Sequence, residues 1–311
     1  MPMESINRIG KILGERYELR DKLGDGGMGD VYRAYDRRLD RDVAVKFLRQ
    51  EFLNKAHLRE RFENEARAIA RLSHPNIVTV HDFVPADEHH DPFFVMAYVR
   101  GDTLSEHVKV TKYTPREAAS LISKLANALQ HAHDQGIVHR DVKPSNIILD
   151  DRGEPQLIDF GIVKLLADEG NHSKTTTSLG TRQWNAPEQI LNTRIAPQAD
   201  QYALAIIAYQ LITGHYPYVV GSRNLENSPS RPGTFSRPGT RSQHDTRSQY
   251  DTRNLADSYE EAHLKAEPVP VSHYRPDLPA QVDRVLRRAL ATEPDERYDS
   301  VSEFASALDR A

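Results

Sequence analysis

The stretch His139-Arg140-Asp141-Val142-Lys143-Pro144-Ser145-Asn146 runs into Ile147-Ile148-Leu149, a turn Asp150-Asp151-Arg152-Gly153, then Leu157-Ile158 and Asp159-Phe160-Gly161. Two short apolar runs flank a polar, Gly-containing turn, which is the pattern of a β-hairpin. Pairing the runs sets Asn146, at the start of one, beside Asp159, at the end of the other. Asp141 lies a few residues upstream. Neighbouring hard oxygen ligands suit Mg²⁺ carrying a phosphate rather than zinc. The hairpin therefore predicts the floor of a phosphoryl-transfer site.

The bulk properties narrow what surrounds that floor. A chain of 311 residues has room for one large or two modest domains with substantial cores. Its 41 Lys and Arg against 45 Asp and Glu give a net charge of −4, so no basic balance argues for a nucleic-acid partner. The absence of cysteine excludes disulfides, thiolate catalysis and cysteine-bound zinc. No apolar core marks Met1–Arg16 as a signal peptide. The run Tyr202–Ile212 is too short and too interrupted to span a bilayer. The expectation is a soluble chain without membrane contact.

Upstream of the hairpin, Tyr17–Leu23, Val31–Tyr35 and Val43–Leu48 read as strands. His57–Leu72 carries Leu58, Phe62, Ala66, Ile69 and Leu72 at helical spacing. Ile77–Phe83 and Phe93–Val99 are again strand-like. Helical patterns then dominate: Glu117–Gln135, closed by Gly136, followed by Ala199–Ile212, Pro279–Ala291 and Ser300–Leu308. This order predicts an α+β, two-lobed fold with a small β-rich lobe, a larger helical lobe and a cleft between them. The boundaries read as an N-terminal extension over 1–16, a small lobe with its connecting hinge over 17–98, and the large lobe over 99–311.

Residues Ser230–Arg253 approximate a six-residue repeat, beginning Ser-Arg-Pro-Gly-Thr-Phe and ending Ser-Gln-Tyr-Asp-Thr-Arg. With two aromatics and no aliphatics, the repeat is too poor in apolar surface to order itself, so 221–257 reads as a disordered insertion.

Gly24-Asp25-Gly26-Gly27-Met28-Gly29 lies between two strands, where glycines let backbone N–H groups close over phosphates. A glycine-rich hairpin with no ligand fits the same residues. Lys46 sits in the apolar strand Val43-Ala44-Val45-Lys46. Glu65 sits on the apolar face of its helix, where a carboxylate is costly unless a cation meets it. Lys46 is the natural candidate, and a solvent-facing Glu65 paired with Arg61 or Arg67 is the alternative.

With Gly24–Val31, Val43–Lys46, Glu65, His139–Asn146 and Asp159–Gly161 in this order, the chain resembles the eukaryotic-like protein kinases, and among them the bacterial serine/threonine kinases. The resemblance covers about Tyr17–Arg310 outside the insertion. It implies an Mg²⁺-dependent transfer of the ATP γ-phosphate to protein Ser or Thr hydroxyls, with Mn²⁺ a substitute metal. Lys46 would bind the α- and β-phosphates and pair with Glu65. Asp141 would orient the substrate hydroxyl and accept its proton, and Lys143 would steady the γ-phosphate. Asn146 and Asp159 would hold the metal. Leu23, Gly24, Asp25, Gly26, Gly27, Met28, Gly29 and Val31 would cover the nucleotide, with Ala44, Met96, Ala97, Tyr98 and Val99 around the adenine.

The resemblance also implies structural and regulatory roles. Ala186-Pro187-Glu188 would form a peptide-docking segment, with Glu188 paired to Arg297. Asp200 would bond the catalytic-loop backbone. Ile69, Val80, His139 and Phe160 would stack as a hydrophobic spine. Arg140 and Lys164 would receive a phosphate placed on Thr175, Thr176, Thr177 or Ser178, so the chain would be its own substrate in an activating autophosphorylation. Lys143 and Thr181 favour serine and threonine over tyrosine, whereas Trp184 is more common in tyrosine kinases. Ala97 stands where the hinge usually has Glu, and Ala205 where a Gly is frequent. A cytoplasmic catalytic domain follows, with a membrane-anchoring extension outside this chain and a homodimer through the small lobe both left open. A scaffold without catalysis is the competing class, and the presence of Lys46, Asp141, Asn146 and Asp159 weighs against it.

Overall fold

Alternating burial along Gly29–Asp36 puts one side of that strand into an apolar layer, as the two-residue period of a pleated strand requires. Within Arg41–Phe47, Val43, Ala44 and Val45 are buried in succession, toward both faces. A computed structural model describes residues 8–26, 29–47, 67–85, 91–160, 182–219 and 259–311. Six strands form an antiparallel sheet: β1 (Ile12–Leu13), β2 (Tyr17–Gly26), β3 (Gly29–Asp36), β4 (Arg41–Phe47), β5 (Val80–Val84) and β6 (Phe93–Ala97). Their order is β1-β2-β3-β4-β6-β5. Leu19, Tyr32, Val43, Val45 and Phe93 cluster on one face, while Ala44, Phe94 and Met96 belong to a cluster on the other. Strand β1 lies within the residues read as an extension ahead of the small lobe, and its Leu13 joins the first of these clusters.

The large lobe begins with β7 (Gly101–Thr103) and α1 (Leu104–Val110), followed by α2 (Pro115–His133). Thr114 caps α2: its hydroxyl accepts from Glu117 N–H at 3.2 Å, and the Glu117 carboxylate accepts from Thr114 N–H at 2.8 Å. The predicted hairpin is present as β8 (Ile147–Asp150) and β9 (Pro155–Leu157), which join β7 in a three-stranded sheet. Helices α3 (Pro187–Ile190), α4 (Gln198–Thr213), α5 (Val271–Tyr274), α6 (Ala280–Ala289) and α7 (Val301–Asp309) complete the described lobe. Helix α4 is buried nearly all round, and α2, α6 and α7 contribute to the same apolar core. The result is the α+β arrangement of a small sheet lobe and a larger helical lobe.

One predicted strand is shorter than its apolar run. The sequence reading covers Ile77–Phe83, but the strand starts at Val80. Ile77 and Val78 instead serve the hairpin. Leu157 N–H donates to Asn76 O at 2.8 Å and Val78 N–H donates to Leu157 O at 2.9 Å. The buried Asn76 amide adds a bond to Pro155 O at 2.8 Å. These apolar residues thus tie the first sheet's connecting segment to β9. Gly27, Met28, Glu65, Gly161, Lys164, Thr175–Ser178, Thr181 and the insertion 221–257 lie outside the described residues, as does most of the helix read over His57–Leu72.

Candidate active site

Register in the small sheet stacks the predicted nucleotide residues. Gly24 pairs with Val31 and Gly26 with Gly29 across the β2–β3 turn. Val31 pairs with Lys46, and Ala44 with Met96. Ala44 and Met96 are buried in an apolar group joined by Val31, Ala97, Val99 and Ile158. These side chains form one apolar cluster beside the β6–β7 connection. Ala97 N–H is engaged with Thr79 O at 2.9 Å, and the Tyr98 ring lies 6.0 Å from the Arg33 guanidinium. Leu23 is exposed near the turn. Ile158 was not singled out from the sequence, because an apolar residue beside a predicted ligand looks like ordinary core.

The hairpin register sets Asn146 opposite Ile158, the residue before Asp159. Ile158 N–H donates to Asn146 O at 3.0 Å. The Asn146 Nδ2 donates to both Asp141 O and Asp141 Oδ2 at 2.9 Å. Lys143 Nζ lies 2.8 Å from Asp141 Oδ2, and Lys46 Nζ lies 2.7 Å from Asp159 Oδ1. Three carbonyl-type side chains and two ammonium groups therefore converge from β4, the loop before β8 and the end of β9. With Asn146 nitrogen turned to Asp141, its carbonyl oxygen is the atom suited to a cation. That oxygen, like those of the Asp159 carboxylate, is a hard donor of the kind that suits Mg²⁺ or Mn²⁺.

Strained backbone supports this cluster. Arg140 and Asp159 have φ of 64° and 57°, a left-handed conformation that costs a non-glycine residue roughly 1–2 kcal/mol. Both neighbourhoods are tied down. Asp200 accepts from His139 N–H and Arg140 N–H at 2.8 Å each, and His133 Nε2 contacts the same carboxylate at 2.7 Å. Arg140 O accepts from Gln189 Nε2 at 2.8 Å. Burial alone would raise the Asp200 carboxyl, but the His133 contact and the surrounding donors outweigh it and lower it.

His139 fixes the other strained residue. Its Nε2 meets Ile158 O at 3.1 Å, and its Nδ1 accepts from Asp141 N–H at 3.3 Å. A carbonyl only accepts, so Nε2 carries the proton and Nδ1 is bare. The ring is neutral, consistent with burial pushing its pKa down against the attraction of Asp200 and Asp141. Phe160 packs on this imidazole with ring centroids 4.5 Å apart. Ile69 and Phe160 share one apolar core, with Val80 packed against it.

Beyond the cluster, Glu188 and Arg297 form a buried bidentate pair with both bonds at 2.8 Å. Gln189, His133 and Asn76 escaped the sequence reading. Gln189 had a local signal, a polar residue two after Pro187 at a helix start, but its reach to Arg140 is a tertiary fact.

A family model described as protein kinase domain matches residues 17–303. The chain belongs to the protein kinase domain family. The kinase PknB of Mycolicibacterium smegmatis is 35% identical over 302 residues, covering 96% of this chain and 43% of that protein. A probable serine/threonine-protein kinase of Clostridium perfringens is also 35% identical, over 97% of this chain and 39% of its own length. The chain thus spans about two fifths of the curated relatives it matches. The crystal structure of the Mycobacterium tuberculosis PknI kinase domain superimposes with a TM-score of 0.66 at 28% identity, covering 97% of both chains. This kinase domain is therefore of the bacterial Hanks type. Among its described residues, no helix is long and apolar enough to cross a membrane.

Proposed function

We propose that this kinase domain transfers the γ-phosphate of ATP to Ser and Thr hydroxyls of proteins in an Mg²⁺-dependent reaction. The observation that carries the reading is the convergence of Lys46, Asp141, Lys143, Asn146 and Asp159, with Lys46 2.7 Å from Asp159 and Lys143 2.8 Å from Asp141. The relatives named as serine/threonine-protein kinases support the choice of substrate class.

Each residue then acts through its own chemistry. The apolar cluster of Val31, Ala44, Met96 and Ile158 takes the adenine by apolar contact, while Ala97, Tyr98 and Val99 offer backbone polar groups at its edge. Lys46, 2.7 Å from Asp159, gives its charge to the α- and β-phosphates. Asp141 accepts the hydrogen bond of the incoming hydroxyl and then its proton. Asn146 holds Asp141 in place through two bonds from one amide nitrogen. Lys143 is close enough to Asp141 to meet the γ-phosphate in the same space. Asp159 and Asn146 Oδ1 would hold Mg²⁺, which would neutralise phosphate charge. Positioning and electrostatics therefore account for the catalysis.

Activation by autophosphorylation of Thr175, Thr176, Thr177 or Ser178 belongs to the same proposal, with Arg140 and Lys164 receiving the new charge. The test incubates the chain with labelled ATP, Mg²⁺ and a generic protein substrate, beside Asp141→Asn. Label on Ser and Thr with wild type, and a drop of roughly a hundredfold or more with the variant, is the expected outcome. No transfer from folded wild type would favour a scaffold.

A further inference from the structure

Behind the segment leading into Ala186-Pro187-Glu188 lies a buried group of hydroxyls gathered around one imidazole. His263, 1% exposed, sits on the helical run 259–265. Its Nδ1 lies 2.7 Å from the Tyr202 hydroxyl, which lies 2.7 Å from the Tyr218 hydroxyl. Its Nε2 lies 2.7 Å from the Tyr216 hydroxyl and 3.2 Å from Gln183 O. Tyr216 reaches the same carbonyl at 2.8 Å.

These contacts have only one consistent direction. A carbonyl only accepts, so Tyr216 gives its single proton to Gln183 O. The Tyr216 oxygen then accepts from His263 Nε2–H. Burial pushes the His263 imidazole down to about 4, so near neutral pH its Nδ1 is bare and accepts from Tyr202. Tyr202 in turn accepts from Tyr218. Donation thus passes from Tyr218 through Tyr202, His263 and Tyr216, and ends on one backbone carbonyl.

That carbonyl lies in the stretch joining two already anchored points. Arg182 Nη1 meets Glu260 Oε1, on the same helical run as His263, at 2.5 Å. On the far side, Gln189 accepts from Ala186 N–H at 3.0 Å and donates to Arg140 O at 2.8 Å, which binds the stretch to the catalytic loop. None of the residues forming the apolar cluster of Ala44 and Met96 belongs to the tyrosine–histidine group.

We propose that His263 and Tyr216 are positioning residues for the protein substrate, fixing the Gln183 carbonyl and the docking backbone that follows it. This rests on the protein kinase reading above, and deepens it by assigning residues outside the catalytic cluster to substrate docking. Tyr216 supplies the direct bond, and His263 sets the direction in which Tyr216 points it.

The test is steady-state kinetics of the whole chain on a Ser-containing peptide, comparing wild type with Tyr216→Phe, His263→Phe and His263→Gln. Loss of one buried bond predicts a peptide KM raised roughly three- to tenfold in Tyr216→Phe, with the KM for ATP unchanged. His263→Gln, which keeps one donor and one acceptor, is expected to recover most of what His263→Phe loses. Tyr216→Phe keeps the ring and its packing, so it reports even where His263→Phe fails to fold. An active wild type whose Tyr216→Phe variant has an unchanged peptide KM, with only a lower melting temperature, overturns the positioning role. A folded wild type that phosphorylates no peptide overturns the kinase reading, and this proposal with it.

Discussion

The Asp36 carboxylate shows how far a single residue's environment reaches. It is fully buried, accepting from Arg16 Nε at 2.8 Å and Nη2 at 2.7 Å, with Arg38 N–H and Leu39 N–H adding bonds at the β3–β4 turn. The Arg16 bond, opposed by burial and aided by the two backbone donors, holds its pKa at about 2. A carboxyl lowered on folding stabilises the protein above its unfolded pKa, and the contribution disappears as pH falls through the folded value. Its share is therefore complete above about pH 4 and lost between about pH 4 and 2, amounting to about 1–2 kcal/mol once partial exposure of Arg16 is allowed for. Asp36→Asn should lower the urea midpoint at pH 6 and narrow the gap to wild type near pH 2.5. A gap of constant size across that range would contradict the assignment. Nothing in the local sequence marked Asp36, since an Asp after a strand reads as a turn residue. The hairpin that carries Asn146 and leads to Asp159, by contrast, was legible because two apolar runs flank a polar turn.

At the scale of the element, the connection from β6 into the large lobe depends on Gly101. Its φ is 147°, and a Cβ there would fall onto the backbone oxygen of Leu149 in β8. Gly101 pairs with Asp150, so β7 holds the strand that begins just after Asn146. Gly101→Ala should destabilise the protein by about 2–4 kcal/mol, through strained backbone and overpacking together. It should also weaken binding of an ATP analogue, measured by calorimetry on the folded fraction. Unchanged stability and affinity would show that β7 is free to shift. Residues 101–110 went unread because a three-residue strand and a two-turn helix have too little period to see. Helix α2 was the opposite case, with a single apolar face over its length. Its Thr114–Glu117 box adds a local signal, and Thr114→Ala should cost about 1 kcal/mol in urea unfolding. Where no loss is seen, packing against the core alone would hold that end.

The whole molecule is closed by a contact that the family resemblance implied and that periodicity alone does not reveal. Arg297 donates to both Glu188 oxygens at 2.8 Å. Its remaining N–H groups reach Ala291 O, Gln198 O and Thr292 O between 2.9 and 3.0 Å. All five guanidinium donors are thereby used, and the Tyr202 ring lies 4.8 Å from the guanidinium carbon. One side chain thus joins the segment Ala186-Pro187-Glu188, the start of α4 and the loop before α7. Burying such a pair is expensive, but removing one partner is worse, because it strands the other as an unpaired charge. Arg297→Met should cost about 3–5 kcal/mol in urea unfolding. Adding Glu188→Leu removes the stranded carboxylate, so the double variant should be more stable than Arg297→Met alone. It should still fall short of wild type, because three backbone carbonyls lose their donor. If the two losses simply add, the carboxylate in Arg297→Met has found water or another cation, and the contact is a local brace rather than the tie between docking segment and core. If instead the coupling is large and the double variant folds but phosphorylates peptide poorly, Arg297 holds the docking surface in shape as well as holding the lobe together.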